Sequence, residues 1–201
     1  MSKLLDDAVG ELSKLPSVGR RTALRLALHL LHEEPEEVSA LSDALMRFRS
    51  EIRFCKYCNN LSDTEVCPIC ADSTRDHSTI CVVEHVGDVL SIENTRQYNG
   101  LYHVLGGVIS PMQGVAPSDL KIDLLTDNIA RGGVKEVILA IGATVEGETT
   151  LFYIMRRLAQ FSGLKVTKIA RGIGVGDEIE YANELTIAHA LHNRTEIKRD
   201  E

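Results

Sequence analysis

The chain has 201 residues, enough to form one or two folded domains together with a small metal-binding module. Aromatic residues make up 4% of the sequence and Trp is absent, so aliphatic side chains must form the core. The formal net charge of −7, taken alone, argues against a nucleic-acid partner. Because no apolar run has the length of a signal peptide or a membrane span, we expect a cytoplasmic protein without a membrane partner.

The charge is unevenly distributed along the chain. Residues 1–58 contain nine Lys and Arg and nine Asp and Glu, whereas the remainder contains 13 and 20. Within residues 12–32 there is no acidic residue, and the four basic residues are Lys14, Arg20, Arg21 and Arg25. A local basic patch on an acidic protein is a candidate surface for binding a phosphate backbone.

Apolar residues spaced three and four apart predict two helices, at residues 2–14 and 20–32, joined by a turn that ends at Gly19. The backbone N–H groups that begin the second helix lack helical partners and can bind a phosphate. Three arginines add charge at the same place: Arg20, Arg21 and Arg25. This pattern predicts a helix-hairpin-helix that binds DNA without sequence preference, and the alternative is an ordinary helical hairpin with a solvated basic face.

A third helix is predicted after the acidic residues that surround Pro35, because carboxylates are favoured at a helix N-terminus. Its apolar residues recur at helical spacing and predict a buried stripe that continues to the cysteine-rich stretch: Val38, Leu41, Leu45, Phe48 and Ile52.

Four cysteines form two Cys-x-x-Cys pairs separated by eight residues: Cys55, Cys58, Cys67 and Cys70. Four thiolates from two short loops are the ligand set of a structural zinc site, which leaves no position open for a substrate. The alternative is two disulfides or a redox dithiol, and nothing else in the sequence indicates an oxidising compartment.

After Cys70 the sequence predicts alternating strands and helices. Short apolar, β-branched runs occur at 79–84, 102–107, 137–141 and 165–169, and helical segments at about 87–95, 118–131, 148–161 and 181–192. This alternation predicts a parallel sheet covered on both faces, with functional sites at the carboxyl ends of its strands.

Three carboxylates follow predicted strands at that edge: Glu84, Glu146 and Glu148. If they converge they could hold a magnesium ion for phosphoryl transfer, although the last two also suit the acidic first turn of a helix. Residues 142–149 have the spacing of a P-loop, but Glu148 stands where a lysine is required, so we exclude nucleotide binding by this motif.

Several motifs in this order resemble the RecR family of bacterial recombination mediators. They are the run Leu15-Pro-Ser-Val-Gly-Arg-Arg-Thr-Ala, the four-cysteine spacing, Ile80-Cys-Val-Val-Glu, Gly100-Leu-Tyr-His-Val-Leu-Gly-Gly, Ser110-Pro-Met-Gln-Gly and Thr144-Val-Glu-Gly-Glu. The resemblance covers nearly the whole chain, and the ordered set is more specific than any single motif.

The resemblance implies an α/β protein with a helical N-terminal arm and four parts. These are a helix-hairpin-helix arm at 1–53, a four-cysteine zinc finger at 54–78, a Toprim domain with a Rossmann-like parallel sheet at 79–172, and a C-terminal oligomerisation segment at 173–201. It further implies a ring-like homotetramer that clamps DNA and acts with RecO and RecF to load RecA onto gapped DNA.

Carried over to this chain, the family's hairpin positions fall on Gly19, Arg21 and Arg25, and its Toprim carboxylates fall on Glu84, Glu146 and Glu148. There are two departures from related patterns. Such hairpins usually have Gly where Ser17 stands, so a positive φ there would be strained. Catalytic Toprim domains also carry an Asp-x-Asp pair, and the positions here are Gly142 and Thr144.

These observations favour a non-enzymatic DNA clamp and adaptor with a structural zinc ion. The first alternative is a magnesium-dependent, topoisomerase-like or nuclease Toprim enzyme that uses the three glutamates. The second is a zinc-stabilised scaffold that binds only protein.

Overall fold

The structure is a computed structural model that describes residues 2–196. Residues 197–201 of the predicted C-terminal segment, and residue 1, lie outside the described residues. The chain divides between Ile52 and Arg53 into two compact units, a helical unit and an α/β unit. Within residues 2–196 no helix has the length and apolar character needed to cross a lipid bilayer.

The helical unit contains three helices: α1 (Lys3–Leu12), α2 (Arg20–Leu30) and α3 (Pro35–Glu51). The first two form the predicted hairpin, and their contact is centred on the buried residues Val9, Ala23 and Ala27. Because alanine carries only a methyl group, the α2 backbone approaches α1 closely. The apolar periodicity therefore predicted the correct pairing of these helices.

The buried stripe predicted for the third helix is wrong. None of the residues of α3, which is described over its whole length, is buried. Leu41, Leu45 and Phe48 are 47%, 61% and 58% exposed. Their spacing does place apolar residues along one helix, but no part of the described chain buries them.

The α/β unit contains a small cysteine module (Arg53–Ala71) and a parallel sheet flanked by helices. The elements of the cysteine module are β1 (Arg53–Phe54), β2 (Leu61–Ser62) and α4 (Pro68–Ala71). Those of the sheet region are β3 (Asp76–Val83), α5 (Val86–Thr95), β4 (Gly100–Val104), α6 (Ile122–Ala130), β5 (Glu136–Ala140), α7 (Val145–Leu158), β6 (Lys165–Lys168) and α8 (Glu184–His192). Strands β1 and β2 pair antiparallel, and the other four form a sheet of order β4-β3-β5-β6.

All neighbours in the four-stranded sheet are parallel, which confirms the predicted sheet type. One face packs Val82 and Leu139 with side chains of α6 and α7, such as Leu125 and Ile154. The opposite face packs Val83 and Val104 with Val89 of α5. Cover on both faces explains why the two central strands contain continuous apolar runs, at residues 80–83 of β3 and 137–140 of β5, instead of an alternating pattern.

Three predicted helix starts differ from the structure for local reasons. The helix expected from residue 181 begins at Glu184, because Ile179–Tyr181 forms a separate 3-10 turn and the Asn183 side chain caps the helix by accepting a hydrogen bond from the Thr186 N–H. The helix expected from residue 118 begins at Ile122, because Pro117–Asp119 forms a separate 3-10 turn. The helix expected from residue 148 begins at Val145, because the Thr144 side chain accepts a hydrogen bond from the Gly147 N–H and caps it.

The cysteine module covers the edge strand β4. The Val104 N–H donates to the Cys58 carbonyl at 2.8 Å, and the Asn59 side-chain amide donates to the Val104 carbonyl at 2.9 Å. On the same side of the module, the Asn128 amide of α6 donates to the Tyr57 carbonyl. Backbone groups that a free sheet edge would leave unpaired are therefore satisfied by the module.

Arg75 joins the end of the cysteine module to the sheet region. Its guanidinium donates to both carboxylate oxygens of Glu93 on α5 and, at 3.0 Å, to the Gly100 carbonyl. The Tyr102 hydroxyl donates to the same carboxylate at 2.7 Å. The Arg75 side chain is 14% exposed and that of Glu93 is 28% exposed, so this pair is shielded from solvent.

The Arg75 guanidinium lowers the pKa of Glu93 below its ordinary value of 4.5. The charged pair therefore stabilises the fold above about pH 4.5, and this contribution disappears as the pH falls through the pKa of the folded state. We expect Glu93→Gln to lower the free energy of unfolding by about 1–3 kcal/mol at pH 7. Chemical denaturation should show the difference from the native protein shrinking at acidic pH.

The control for this prediction is Glu65→Gln, which removes a carboxylate from a solvent-exposed pair with Lys56 in the same α/β unit. Exposed pairs contribute little, so this variant should remain close to the native protein at both pH values. A Glu93→Gln deficit that is independent of pH would show that the charge of Glu93 is not what stabilises the fold.

Candidate metal centre and nucleic-acid interface

The two Cys-x-x-Cys loops bring their four sulfur atoms together. The first loop is closed by the Asn59 N–H, which donates to the Cys55 carbonyl at 2.9 Å, and Asn59 itself has a φ of 59°. Asparagine tolerates this left-handed conformation better than most residues. The second loop begins at Cys67, the N-cap of the short helix α4. Each loop thus presents two sulfurs toward the other.

The geometry of the four sulfurs fits a zinc ion. Those of Cys55, Cys58, Cys67 and Cys70 all lie within 4.8 Å of one another, and Cys58 Sγ is 3.5 Å from Cys67 Sγ. A tetrahedral site with Zn–S bonds of about 2.3 Å has sulfur–sulfur distances of about 3.8 Å. All five cysteines of the chain are free thiols, so the alternative of two disulfides is not what the structure contains.

Backbone N–H groups also point at these sulfurs. The Cys67 N–H donates to Cys55 Sγ at 3.3 Å, and the Cys70 N–H donates to Cys67 Sγ at 3.4 Å. The hydrogen bonds that Cys67 Sγ forms within the cluster, first of all the one with Cys58, lower the pKa of Cys67. Groups that stabilise a thiolate suit a metal ligand, because the thiolate is the form that binds zinc.

The hairpin presents the expected basic surface. Gly19 is the N-cap of α2 and supplies no side-chain cap, so the first N–H groups of the helix lack partners within it. Gly19, Arg20, Arg21 and Arg25 are all exposed. Arg21 and Arg25 lie one turn apart on the same helix face.

Arg20 differs from the other two arginines. Its guanidinium lies 3.3 Å from the Asp6 carboxylate of α1 and forms an ion pair with it. Among the described residues, Arg21 and Arg25 form no ion pair. The part of the patch available to an anion is therefore centred on Arg21 and Arg25.

The turn of the hairpin has the strain that the sequence suggested. Ser17 adopts a φ of 65°, in the left-handed region that glycine occupies without a penalty. The next residue, Val18, closes the turn by donating its N–H to the Leu15 carbonyl at 3.1 Å.

At the carboxyl edge of the sheet, two of the three predicted carboxylates are engaged within the fold. Glu84, which follows β3, accepts a hydrogen bond from the Gly142 N–H at 2.5 Å. Glu148, in the first turn of α7, accepts one from the guanidinium of Arg171. Glu146 is exposed. The cysteine cluster is the only group of potential metal ligands that the described residues bring together, so the three glutamates do not form one.

The turn that carries these glutamates is tightly packed. A Cβ atom at Gly147 would lie 2.1 Å from the Gly142 carbonyl oxygen, so this position requires glycine. A Cβ atom at Gly142 would lie 3.0 Å from the Glu84 carboxylate. A side chain at the first position of an Asp-x-Asp pair would therefore press directly against Glu84.

The sequence did not reveal the role of Arg171. It stands at the start of a Gly-rich loop, 23 residues after Glu148, and its side chain is 19% exposed. Its hydrogen bond to Glu148 lowers the pKa of that carboxyl group. A second N–H group of the guanidinium lies 3.3 Å from the Ile141 carbonyl oxygen. This arginine places a positive charge beside Glu148, one of the three glutamates that the sequence offers as magnesium ligands.

We expect the purified protein to contain one zinc ion per chain and Cys67→Ser to contain little or none, because Cys67 is fully buried among the other sulfurs. Since zinc binding supplies folding free energy in such sites, the variant should also lose structure in the cysteine module. Elemental analysis measures the first effect and circular dichroism the second. The control is Cys81→Ser, which alters the one cysteine outside the cluster and should retain zinc. Full zinc content in Cys67→Ser would exclude this residue as a ligand.

Ser17→Gly should raise the free energy of unfolding of the helical unit by about 0.5–1 kcal/mol, because glycine removes the steric cost of the positive φ. Thermal denaturation of the variant tests this. Ser13→Gly is the control for glycine at an ordinary φ of −74°, and it should be less stable than the native protein because it also loses the hydrogen bond that Ser13 Oγ donates to the Gly10 carbonyl at 2.9 Å. If Ser17→Gly were no more stable than the native protein, the turn would not be strained.

Comparison with known protein families assigns the parts of the chain. Residues 5–48 match the family model described as RecR, helix-hairpin-helix, and residues 52–72 match the model of the RecR four-cysteine zinc finger domain. Residues 78–170 match the Toprim domain, and residues 172–195 match RecR, C-terminal. The helix-hairpin-helix, zinc finger and Toprim matches occur in the order predicted from the sequence, which confirms the fold class.

Curated proteins are similar to this chain over nearly its full length. The chain is 56% identical over 194 residues to a protein named Recombination protein RecR from Bacteroides thetaiotaomicron, a match that covers 96% of this chain and 94% of the relative. Proteins of the same name from Porphyromonas gingivalis and Flavobacterium johnsoniae are 53% and 52% identical, covering 97% and 98% of this chain and 94% and 96% of theirs. The chain therefore belongs to the RecR family of recombination proteins.

Proposed function

We propose that this protein is a non-enzymatic DNA-binding clamp and adaptor in recombinational DNA repair. Membership of the RecR family supports a role in recombinational repair. Within that role, the proposed action is to load RecA onto gapped DNA together with RecO and RecF. The proposed domains are a DNA-binding arm at 1–53, a zinc finger at 54–78, a Toprim domain at 79–172 and an oligomerisation segment at 173–201.

The observation that carries the proposal is the start of α2. Unpartnered backbone N–H groups, the positive end of the helix dipole and the exposed guanidiniums of Arg21 and Arg25 coincide there. These groups recognise phosphate, and none of them reads a base. DNA binding through this surface should consequently be independent of sequence and weaken as salt concentration rises.

Assembly is needed to make such a small patch effective. One patch on a protein with a net charge of −7 binds DNA weakly. Several copies held in a ring-like homotetramer would act at a high effective concentration on one DNA molecule. We therefore place the arginine-bearing hairpins of several subunits around a shared opening.

The carboxyl edge of the sheet supports a binding role over catalysis. A Toprim enzyme needs several carboxylates free to hold magnesium, whereas here Glu84 binds the Gly142 N–H and Glu148 binds Arg171. The positions of the Asp-x-Asp pair are Gly142 and Thr144, neither of which offers a carboxylate. The exposed Glu146 adds to an acidic surface suited to a partner protein.

Replacing both Arg21 and Arg25 with alanine should weaken DNA binding similarly for DNA of any sequence. The logarithm of the DNA-binding constant falls as the logarithm of the salt concentration rises, and the steepness of this dependence should decrease by about one for each phosphate contact that an arm loses. Fluorescence anisotropy with single-stranded and duplex oligonucleotides at several salt concentrations measures both quantities. Arg21 and Arg25 are exposed, so the variant should fold normally.

The matched control is Lys135→Ala with Arg156→Ala, which removes the same charge from exposed positions of the α/β unit. It should leave the salt slope close to that of the native protein. Equal affinities for the Arg21/Arg25 double variant and the native protein would refute the hairpin as the DNA-binding surface.

Enzymatic and DNA-independent functions make different predictions. Nicking of supercoiled DNA in the presence of magnesium, abolished by Glu84→Ala, would contradict the non-enzymatic role. Failure to bind any DNA at low salt, with RecO binding retained, would instead indicate a scaffold that binds only protein.

A further inference from the structure

The four cysteines of the zinc finger are not equally protected from solvent. Cys55, Cys58 and Cys67 are 2%, 2% and 0% exposed, respectively, whereas Cys70 is only partly buried. Small reagents in solution can therefore approach the cluster from the Cys70 side. The rate at which a cysteine is oxidised depends on two properties, its thiolate character and the exposure of its sulfur.

Cys58 and Cys70 both line a cavity of about 250 Å³ between the finger and the sheet region, and of these two residues only Cys70 is partly exposed. The exposed side chains of Tyr57, His77 and Arg131 line its rim, and Ile80 and Val134 line its apolar side. A water molecule occupies about 30 Å³ in the liquid, so a cavity of this size admits small molecules such as hydrogen peroxide.

We propose that Cys70 is the site at which a peroxide first oxidises the zinc finger, and that this oxidation releases the zinc ion. The Cys70 thiolate attacks one oxygen of the peroxide, an S–O bond forms, the O–O bond breaks, and hydroxide leaves. The product at Cys70 is a sulfenic acid.

A second cysteine of the cluster completes the reaction. Its thiolate attacks the Cys70 sulfur, an S–S bond forms, the S–O bond breaks, and hydroxide again leaves. The two sulfurs together lose two electrons, and the peroxide, with two protons from solvent, becomes two molecules of water. Two thiolates remain, which is fewer than the four ligands of a structural zinc site.

The contacts of the finger give this oxidation a structural consequence. The Cys58 carbonyl and the Asn59 side chain hold both backbone groups of Val104 on the edge strand β4. Loss of zinc removes the constraint that shapes the Cys58–Asn59 turn. Oxidation at Cys70 should thus loosen the cover of the sheet edge, and a dithiol reductant with zinc should restore it.

Cys81 provides an internal comparison. It lies in β3, outside the cluster of four cysteines, and is 3% exposed, so no metal ion would hold it as a thiolate. A protonated, enclosed thiol reacts slowly with peroxide. The proposal therefore predicts selective oxidation of the finger while Cys81 remains a thiol.

The test uses the full-length, zinc-loaded protein treated with hydrogen peroxide. A chromophoric chelator follows zinc release, dimedone traps sulfenic acid, and peptide mass spectrometry locates the first modified residue. We expect the first adduct, or the first disulfide, to contain Cys70, and zinc release to follow with the same time course. First modification at any of the other three finger cysteines, or zinc release without thiol oxidation, would overturn the proposal.

A pair of variants tests the route through the cavity. Val134→Phe should narrow the cavity and slow peroxide-driven zinc release several-fold, with zinc content before oxidation as the check on folding. Val166→Phe is the matched control, because Val166 packs partly buried against the same core but does not line the cavity. Equal rates of zinc release in the two variants would show that peroxide does not reach the finger through the cavity. The identity of the first oxidised cysteine in the native protein tests the assignment of Cys70 separately.

Discussion

Much of the α/β unit depends on one constraint, the meeting of four thiolates from two short loops. The strands of the cysteine module have two residues each and its helix has four, so none of these elements is long enough to be stable alone. A zinc ion bound by the four sulfurs supplies the free energy that these elements lack. In turn the module pairs its Cys58 carbonyl and Asn59 side chain with Val104 and covers the edge of the sheet. The metal therefore acts on the fold of the sheet region as well as on the finger itself.

The charged groups of the helical unit and those of the α/β unit have different partners. Among the described residues, Arg21 and Arg25 at the start of α2 have no ion pair, whereas at the sheet edge a backbone N–H group binds Glu84 and Arg171 binds Glu148. Arg171 is a fixed cation within the fold, so the negative charge of Glu148 is balanced without a metal ion. Carboxylates committed in this way support the proposal of an adaptor that contacts DNA through its helical arm.

The sequence predicted correctly those features that follow from the chemistry or the conformational preference of a single residue type. The spacing of the cysteines predicted the cluster, and the contrast between Ser17 and the usual glycine predicted the strained turn in which Ser17 has a φ of 65°. It failed where the answer depends on distant residues. Periodicity shows that Leu41, Leu45 and Phe48 share a face of α3, but it carries no information about whether another element covers that face. The pairing of Arg20 with Asp6 and of Arg171 with Glu148 joins residues far apart in sequence, which a local pattern cannot reveal.

The account rests on the claim that zinc holds the finger in the shape that pairs with strand β4. Hydrogen exchange at the Val104 amide, compared between zinc-loaded and zinc-free protein, tests this claim most directly, since that N–H donates to the Cys58 carbonyl at 2.8 Å. The account predicts that removing zinc greatly accelerates exchange at Val104, while amides in the centre of the sheet, such as that of Val82, remain protected. Unchanged protection of Val104 in the zinc-free protein would contradict it.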